Sequence, residues 1–372
     1  MVEVFFLDIH STAENQNIIS KITQLMEAAD FKSCISSGDL TAVKLHFGEY
    51  GNDGFIRPVY IRQVVANVRD YGGKPFLVDT NTLYKGKRMN AADHLETAMA
   101  HGFSYATTNA PIIIADGLKG NNRTDVRIGQ KHFKNVKIAT DIVDANAMIV
   151  ASHFKGHIMA GFGGAIKNLA MGCAPPLGKR EQHDVRPEAD EETCIGCGKC
   201  AEHCPGDAII IKNGKAEVDP EDCVGCGECM VVCPVGAMGL DWETEIVDFT
   251  ERMTEYALGA LKHKEEKVGF LNFVLNVTPD CDCLKWSNQP IVPDIGILAS
   301  KDPVALDAAC LDLVNHQKGL HGTELKKNYA PGEDKFKGVN DYTRGEIQLE
   351  YGQEIGLGAM DYELVELAVE EE

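Results

Sequence analysis

Cys194-Ile-Gly-Cys-Gly-Lys-Cys-Ala-Glu-His-Cys-Pro205 and Cys223-Val-Gly-Cys-Gly-Glu-Cys-Met-Val-Val-Cys-Pro234 are two copies of one cysteine motif. The second copy repeats all four cysteines 29 residues after the first, with no gap in either motif. Each copy places three cysteines at C-x2-C-x2-C spacing and a fourth cysteine directly before a proline. The stretch is therefore a specific internal repeat, and the rest of the chain has to be placed around it.

The spacing of the repeat favours iron-sulfur ligation. Three thiolates at C-x2-C-x2-C spacing can bind one four-iron cluster, while the fourth, before the proline, binds the neighbouring cluster. This rule predicts two [4Fe-4S] clusters with crossed ligation, one held by Cys194, Cys197, Cys200 and Cys233, the other by Cys223, Cys226, Cys229 and Cys204. Two four-cysteine zinc sites are the alternative, although zinc leaves the third cysteine and both prolines unexplained. Over residues 188–242 the segment resembles the bacterial two-cluster ferredoxin.

Composition indicates a globular protein of 372 residues, long enough for two or three domains. Its 13 cysteines, eight of them in the repeat, predict a reducing, cytoplasmic setting, typical of an anaerobe, rather than a disulfide framework. The N-terminal residues show neither a signal peptide nor a membrane span. The net charge is −20, and residues 188–245 hold 14 acidic and 3 basic side chains. Nucleic acid is therefore excluded as a partner, whereas a basic redox partner protein fits.

Apolar runs alternate with helical patterns along both flanks of the repeat. Strands are predicted at 2–8, 41–46, 75–79, 112–115, 147–151, 268–277 and 295–298, with a β excursion at 121–138. Helices are predicted at 15–29, from 57, at 89–101, 164–171, 246–261 and 303–317, and a last helix and strand between 348 and 367. This pattern predicts an α/β core with a mostly parallel sheet covered by helices. The core is expected to be discontinuous (1–187 and 246–372), with a small α+β ferredoxin-like insert at 188–245.

Polar groups follow several of these strands. They are Lys44 and His46, Asp79-Thr80-Asn81, His153-Phe-Lys155-Gly-His157, and Asp280-Cys281-Asp282-Cys283. If the sheet is parallel, the groups converge at the carboxyl edge, where open α/β sheets bind ligands. Lys44, Lys155 and Lys167 would then hold a small anionic substrate, and His153 or His157 would donate a proton. Taken singly, each group is as well explained as a structural residue or a helix cap.

The segment Gly161-Phe-Gly-Gly-Ala-Ile-Lys-Asn168 is a glycine-rich turn that leads into a helix. Backbone N–H groups at such a turn favour an anion, so Gly163, Gly164, Lys167 and Asn168 join Lys44 and His46 as candidate substrate residues. The segment matches neither a Walker loop nor a dinucleotide fingerprint. The alternative is close packing of helix on strand through the glycines.

Cys281 and Cys283 are two residues apart, so in an extended chain both thiols project to one side and could bind one metal ion. Cys173 is the candidate third ligand of this third metal or cluster site. The alternative is that all three are small buried thiols, like Cys34 and Cys310.

The flanks of the repeat also resemble a known family. Gly163-Gly-Ala-Ile-Lys-Asn-Leu-Ala-Met-Gly172 and Pro293-Asp-Ile-Gly-Ile-Leu-Ala-Ser-Lys-Asp-Pro-Val-Ala-Leu-Asp307 are similar to uncharacterised iron-sulfur centre proteins, whose defining domain has no known function. The resemblance implies architecture and clusters but no reaction. Two functions remain open: an oxidoreductase that uses the clusters on a small anion bound in the core, or a non-enzymatic electron carrier or assembly partner that docks another protein.

Overall fold

The computed structural model describes residues 1–83, 86–184, 187–223, 225, 228–239 and 245–367. Its central element is an eight-stranded sheet. The strands of the described residues are β1 (Val2–Asp8), β2 (Leu40–Lys44), β3 (Lys74–Asp79), β4 (Ile112–Ile114), β5 (Arg123–Arg127), β6 (Asn135–Ala139), β7 (Ala147–His153), β8 (Lys155–His157), β9 (Gly161–Gly163), β10 (Glu188–Ala189), β11 (Ile209–Lys212), β12 (Lys215–Val218), β13 (Met238–Gly239), β14 (Val268–Val274), β15 (Gly296–Ser300) and β16 (Tyr362–Glu366).

Helices connect most of these strands. They are α1 (Ile18–Ala28), α2 (Pro58–Asp70), α3 (Ala91–Ala100), α4 (Tyr105–Thr108), α5 (Thr140–Asp144), α6 (Ala165–Cys173), α7 (Pro176–His183), α8 (Lys199–His203), α9 (Glu228–Val231), α10 (Glu245–Leu261), α11 (Pro303–His316), α12 (Lys335–Val339) and α13 (Glu346–Glu354), with 3-10 turns at Glu14–Gln16 and Phe31–Cys34. Among the described helices, none has both the length and the apolar composition that crossing a membrane requires.

The sheet order is β16-β1-β15-β14-β7-β2-β3-β4. Strand β15 runs antiparallel to both of its neighbours, and every other pairing in the sheet is parallel. The predicted α/β fold with a mostly parallel sheet is thus confirmed. Because β14, β7, β2 and β3 are adjacent and parallel, their carboxyl ends form one continuous edge, and this edge holds the site described below.

Both faces of the sheet are buried. Along β7, Met148 and Val150 belong to the core on the side of α6, α10 and α11, whereas Ile149 and Ala151 belong to the core on the side of α1 and α2. Strands that bury both faces read as continuous apolar runs, which is why their positions could be predicted to within a few residues.

The cysteine repeat folds as two similar halves, β10-α8-β11 and β12-α9-β13. The two halves exchange strands, because β10 pairs with β13 and β11 pairs with β12. Helix α8 begins at Lys199 and contains Cys200, the third cysteine of the first motif. Helix α9 begins 29 residues later, at Glu228, and contains the third cysteine of the second motif. The repeat in sequence is therefore also a repeat in structure, although the boundaries of the insert at 188 and 245 stay a prediction.

Candidate functional site

Side chains from four neighbouring strand ends meet at the carboxyl edge of the sheet. Two adjoining pockets there, of about 50 and 40 Å³, share His46, Lys167, Met171 and Gly172. We call them together the inner pocket. The first also takes in Asp79, Arg88, His157, Lys179 and Cys283, and the second His153, Lys155, Asn168 and Cys281. The structure thus brings together the polar groups that follow β2, β3, β7 and β14.

A much larger cleft, of about 860 Å³, lies beside the inner pocket. We call it the outer cleft. Ser11, Arg57, Tyr60 and Asp294 are among its lining residues. Ile56 and His153 line both the outer cleft and the inner pocket, so these two side chains form the wall between them. A molecule in the cleft would be one side chain away from the inner pocket.

Cys281 and Cys283 are the nucleophilic groups of the inner pocket. Their sulfurs and a ring nitrogen of His157 all lie within 4.8 Å of one another. The ammonium of Lys167 donates a hydrogen bond to the Cys281 sulfur at 3.3 Å. The Cys283 thiol, more than Lys167, holds the pKa of Cys281 well below its ordinary value against the effect of burial, and the same contact raises the pKa of Cys283. The pair therefore holds one proton, with the negative charge on Cys281 beside Lys167.

His157 faces the thiols in one tautomer. Its Nδ1 atom accepts hydrogen bonds from the backbone N–H groups of Met159, at 3.2 Å, and Ala160, at 3.0 Å. Burial and the nearby charge of Lys167 lower the pKa of His157 well below its usual value, so the ring is neutral. A neutral ring that accepts at Nδ1 carries its proton on Nε2. The free edge of His157 is consequently a hydrogen-bond donor.

His153 is held from both sides. Its Nδ1 atom lies 2.9 Å from both carboxylate oxygens of Asp282, and its Nε2 atom lies 2.9 Å from the carbonyl oxygen of Leu275. Burial raises the pKa of Asp282, but the positive charges of His153 and Lys155 outweigh it and lower that pKa below its usual range. Since both ring nitrogens face acceptors, His153 orients Asp282 and has no nitrogen left to give a proton to a substrate. Lys155 likewise donates to the His153 carbonyl oxygen, at 2.8 Å.

Lys44, predicted to bind a substrate, is fully buried and already paired. Its ammonium donates to Asp79 Oδ1 at 3.1 Å, Asn168 Oδ1 at 2.7 Å and the Leu45 carbonyl oxygen at 2.9 Å. Asn168 in turn donates to the carbonyl oxygen of Ala151. The structure thus uses Lys44 and Asn168 to join β2, β3 and α6 rather than to offer charge to a ligand.

The N–H groups that follow the glycine-rich turn, at the start of α6, bind a carboxylate of the protein itself, that of Asp307. The N–H groups of Ala165 and Ile166 donate to the two carboxylate oxygens of Asp307 on α11, at 2.8 and 2.9 Å. A Cβ atom on Gly164 would lie 2.2 Å from Asp307 Oδ1, so close packing requires glycine there. Gly164 therefore allows α6 to pack closely on α11, and the N–H groups of Ala165 and Ile166 already hold a carboxylate of the protein, while the role of the turn towards a substrate stays a prediction.

Removing this carboxylate should destabilise the fold. Burial raises the pKa of Asp307 to about 6, so at pH 8 it is ionised and also accepts from Asn272 Nδ2 at 2.7 Å. We expect D307A to lower the free energy of unfolding by about 3 kcal/mol, because three buried donors lose their acceptor. Urea unfolding at pH 8 measures it. The control is N17A, which removes an exposed cap of α1 and should cost about 1 kcal/mol; equal effects would contradict the role of Asp307.

Cys173 is not a member of the thiol group. It ends α6, is fully buried, and its sulfur faces the Asn168 carbonyl oxygen at 4.0 Å. Burial raises its pKa to about 11. Among the described residues, the third side chain beside Cys281 and Cys283 is His157. Cys173 therefore behaves as a packed thiol.

Arg88, Lys179 and His183 line the inner pocket but were not singled out from the sequence. Lys179 donates to Thr80 Oγ1 and to the carbonyl oxygens of Asn81 and Ala174, and burial lowers its pKa to about 8. Helix α7 carries Lys179 and His183 one turn apart and shows little apolar pattern, so its one sequence signal was the proline pair at its start. Arg88 Nη2 has no hydrogen-bond partner among the described residues.

The cysteines of the first predicted set surround one pocket. It is lined by Cys194, Cys197, Cys200 and Cys233, although Cys233 belongs to the second motif in sequence. The N–H groups of Ala216 and Ala237 donate to the sulfurs of Cys194 and Cys233, at 3.4 and 3.2 Å. Burial raises the pKa of Cys233, but the N–H groups of residues 235–238 outweigh it, and the pKa lies below its ordinary value. These N–H groups therefore favour a thiolate at Cys233, whereas burial raises the pKa of Cys200 in the same pocket.

The second predicted set is only partly described. Cys204, Cys223 and Cys229 are buried, and Cys226 lies outside the described residues. The N–H groups of Ala208 and Gly225 donate to the sulfurs of Cys204 and Cys223. Each described half of the repeat thus shows N–H groups aimed at cysteine sulfur.

Helix α9 of the second motif lies near the loop that carries the thiol pair. Burial raises the pKa of Glu228 on α9, the charges of Lys285 and His203 lower it, and the charge of Glu49 raises it. Lys285 is two residues past Cys283, and the Asn52 side chain, three residues from Glu49, donates to the Trp286 carbonyl oxygen at 2.9 Å. Glu228, the residue before Cys229, is therefore close enough to Lys285 and Glu49 for their charges to act on it.

Comparison with known proteins gives a family but no activity. The family model described as "Domain of unknown function (DUF362)" matches residues 41–312. No curated protein matches the sequence. Among solved structures, the lactate racemase apoprotein from Thermoanaerobacterium thermosaccharolyticum is similar over 69% of this chain and 48% of its own, with 14% identity and a TM-score of 0.36. The chain spans about half the length of that protein, and a likeness this distant does not bear on activity.

Proposed function

Because the chain belongs to the DUF362 family, whose domain has no known function, we propose a function from its own residues: an iron-sulfur oxidoreductase. In this proposal the cysteine repeat binds two [4Fe-4S] clusters, and the sheet-edge site reduces or oxidises a small molecule. The clusters would supply one-electron transfer, and the residues of the core would bind and orient the substrate.

The spacing of the sulfurs in the first pocket carries this proposal. A single zinc ion with bonds of ~2.3 Å would hold four sulfurs about 3.8 Å apart. Of the four sulfurs of Cys194, Cys197, Cys200 and Cys233, all of them in the described part of the chain, no three lie within 4.8 Å of one another. The pocket brings them together but is too wide for one ion. A four-iron cluster is larger and fits that spacing, as well as the crossed ligation by Cys233.

The lining of the inner pocket supports an anionic or electron-rich substrate. Arg88, Lys155, Lys167 and Lys179 line it, against the single carboxylate of Asp79. Buried Arg88 Nη2, without a partner among the described residues, is a donor aimed at this space. The volumes of about 50 and 40 Å³ would hold a few atoms only, so the reacting group would enter here while the rest of the substrate occupies the outer cleft.

The alternative is an electron carrier that docks another protein. A carrier needs no pocket lined by cations, histidines and thiols next to its clusters. The inner pocket, lined by cations, histidines and thiols, supports an enzyme, and the charge of Lys285, two residues past Cys283, acts on Glu228 beside Cys229. The expected redox partner is a basic protein, because residues 188–245 hold 14 acidic and only 3 basic side chains.

Metal analysis tests the proposal. Protein purified without oxygen is expected to contain about eight iron and eight acid-labile sulfide per chain, because each cubane holds four of each. Iron, sulfide and zinc contents are measured on one sample, and electron paramagnetic resonance of the reduced sample identifies the clusters. About two zinc per chain with no sulfide would contradict the proposal and support the four-cysteine zinc sites.

A further inference from the structure

The proposed function assigns no role to the two thiols of the inner pocket, Cys281 and Cys283. Cys281 and Cys283 are close together and line the two adjoining parts of the inner pocket. We propose that Cys281 and Cys283 are a redox-active pair that cycles between a dithiol and a disulfide and stores two electrons for the site. The source of the electrons rests on the proposed function, whereas the cycling of the pair itself does not.

The positions of the two sulfurs allow a disulfide bond to form between them. The backbone turns at the pair, because Leu284 N–H donates to the Cys281 carbonyl oxygen at 3.1 Å, and this turn, not an extended strand, brings the two thiols together. The two sulfurs lie within 4.8 Å of each other without being bonded. A small rotation of the side chains would bring them to the length of a disulfide bond.

The neighbours of the pair favour a thiolate over a metal ion. The ammonium of Lys167, 3.3 Å from the Cys281 sulfur, balances one negative charge and repels a cation. His157 keeps its proton on the edge that faces the sulfurs, because its Nδ1 atom accepts two backbone N–H groups. A histidine that binds metal needs a free lone pair on that edge. The distances alone would admit an ion, but the hydrogen bonds oppose it.

Reduction of the disulfide takes up two electrons and one proton. In the forward direction the S–S bond breaks as two electrons arrive, one from each reduced cluster, and both clusters return to the oxidised state. One proton is taken up by the Cys283 sulfur, and the Cys281 sulfur remains a thiolate beside the Lys167 ammonium. In the reverse direction the pair gives two electrons to a two-electron acceptor in the inner pocket and re-forms the disulfide. The pair thus converts one-electron delivery into two-electron chemistry.

The pair is partly accessible to solvent. Cys281 is 5% exposed and Cys283 is partly exposed, so a small oxidant can reach the pair at Cys283. Cys34, by contrast, is buried and donates its S–H group to the Val268 carbonyl oxygen.

A reductive titration tests the inference. The intact protein, oxidised anaerobically with diamide and then freed of it, is titrated with dithionite. We expect the parent to take up about four electrons per chain, one for each cluster and two for the disulfide, and C283S to take up about two. The variant C34S is the matched control and should behave as the parent. Peptide mass spectrometry of the oxidised parent should find Cys281 linked to Cys283.

The outcomes separate this inference from the proposed function. If the clusters are absent, the parent takes up about two electrons and C283S none, so the proposed function fails and the redox pair stands. If the parent and C283S take up equal numbers of electrons, the redox pair fails and the clusters stand. A bound metal ion that is lost in both C281S and C283S would also overturn the inference.

Discussion

The variant C233A is expected to lose about half of the iron and sulfide of the parent, although Cys233 lies in the second motif. The reason is the position of its sulfur in the pocket of Cys194, Cys197 and Cys200, where the N–H group of Ala237 donates to it. Alanine removes the ligand without offering an oxygen in its place. Iron and sulfide per chain in anaerobically purified protein give the result.

A double variant decides whether the ligation is crossed. If Cys194 and Cys233 hold the same cluster, C194A/C233A should retain as much iron as either single variant. If each cluster used the four cysteines of one motif, the double variant would lose all of its iron, and the crossed assignment would be wrong. C310S is the control, because Cys310 is a fully buried core thiol on α11 outside the repeat, and its loss should leave the iron content unchanged.

The sheet could be predicted from sequence because its central strands bury both faces. Strand β1 has the predicted bounds, and β3 starts one residue before the predicted position. The direction of β15 could not be predicted in this way. An apolar run of five residues reads the same in either direction, and only its pairing with β1 and β14 makes it antiparallel.

The predicted parallel sheet correctly brought the polar side chains together at one edge. It could not predict which contacts each of these side chains makes. Lys44 and His153 occur where a ligand-binding residue would occur, and yet each has a carboxylate partner far away in the chain, Asp79 at 35 residues and Asp282 at 129 residues. Asp307 follows Gly164 by more than 140 residues, and nothing in the local pattern of the turn indicates it. Polar partners that are remote in sequence are set by tertiary packing, so a local pattern cannot distinguish a paired cation from a free one.

Buried ion pairs at this edge explain why so many of the predicted residues are structural. Lys44, Arg88 and His94 surround Asp79, and Lys155 and His153 surround Asp282. Asp79 is the carboxylate partner of buried Lys44, and Arg88 has a second one in Glu49 at 3.1 Å, so these buried charges are paired. The groups left for chemistry are those outside these pairs, above all Cys281, Cys283 and Lys167.

The variant D79N is expected to be among the least stable single substitutions in the chain. Asp79 Oδ1 lies 3.1 Å from the Lys44 ammonium, and Asp79 Oδ2 lies 3.6 Å from Arg88 Nη1 and from His94 Nε2. Asparagine keeps the shape but removes the negative charge, which leaves the buried charge of Lys44 without its carboxylate partner, whereas Arg88 keeps Glu49 Oε2 at 3.1 Å. Breaking a buried pair in this way costs about 3–5 kcal/mol. Urea unfolding at pH 7 measures the difference in free energy.

The difference in unfolding free energy between the parent and D79N should depend on pH, and the direction follows from the pKa of Asp79. Burial raises that pKa, but the charge of Lys44 and the contact with His94 outweigh it and place it well below the usual value. Asp79 therefore stabilises the fold above the ordinary pKa of an aspartate, ~3.9, and loses this contribution as the pH falls further towards its own lower pKa. The unfolding free energies of the parent and D79N should approach each other as the medium becomes more acidic.

An exposed pair provides the matched control for D79N. Asp30 accepts from the Lys301 ammonium at 2.9 Å, with its side chain 65% exposed, so D30N makes the same chemical change in a pair that water screens. Its cost should be below about 1 kcal/mol. The double variant K44M/D79L, which removes both charges, should be more stable than D79N, because no buried charge is left alone. If D79N cost no more than D30N, Asp79 would not be the partner that keeps Lys44 buried, and the Lys44 ammonium would be available to a substrate anion after all.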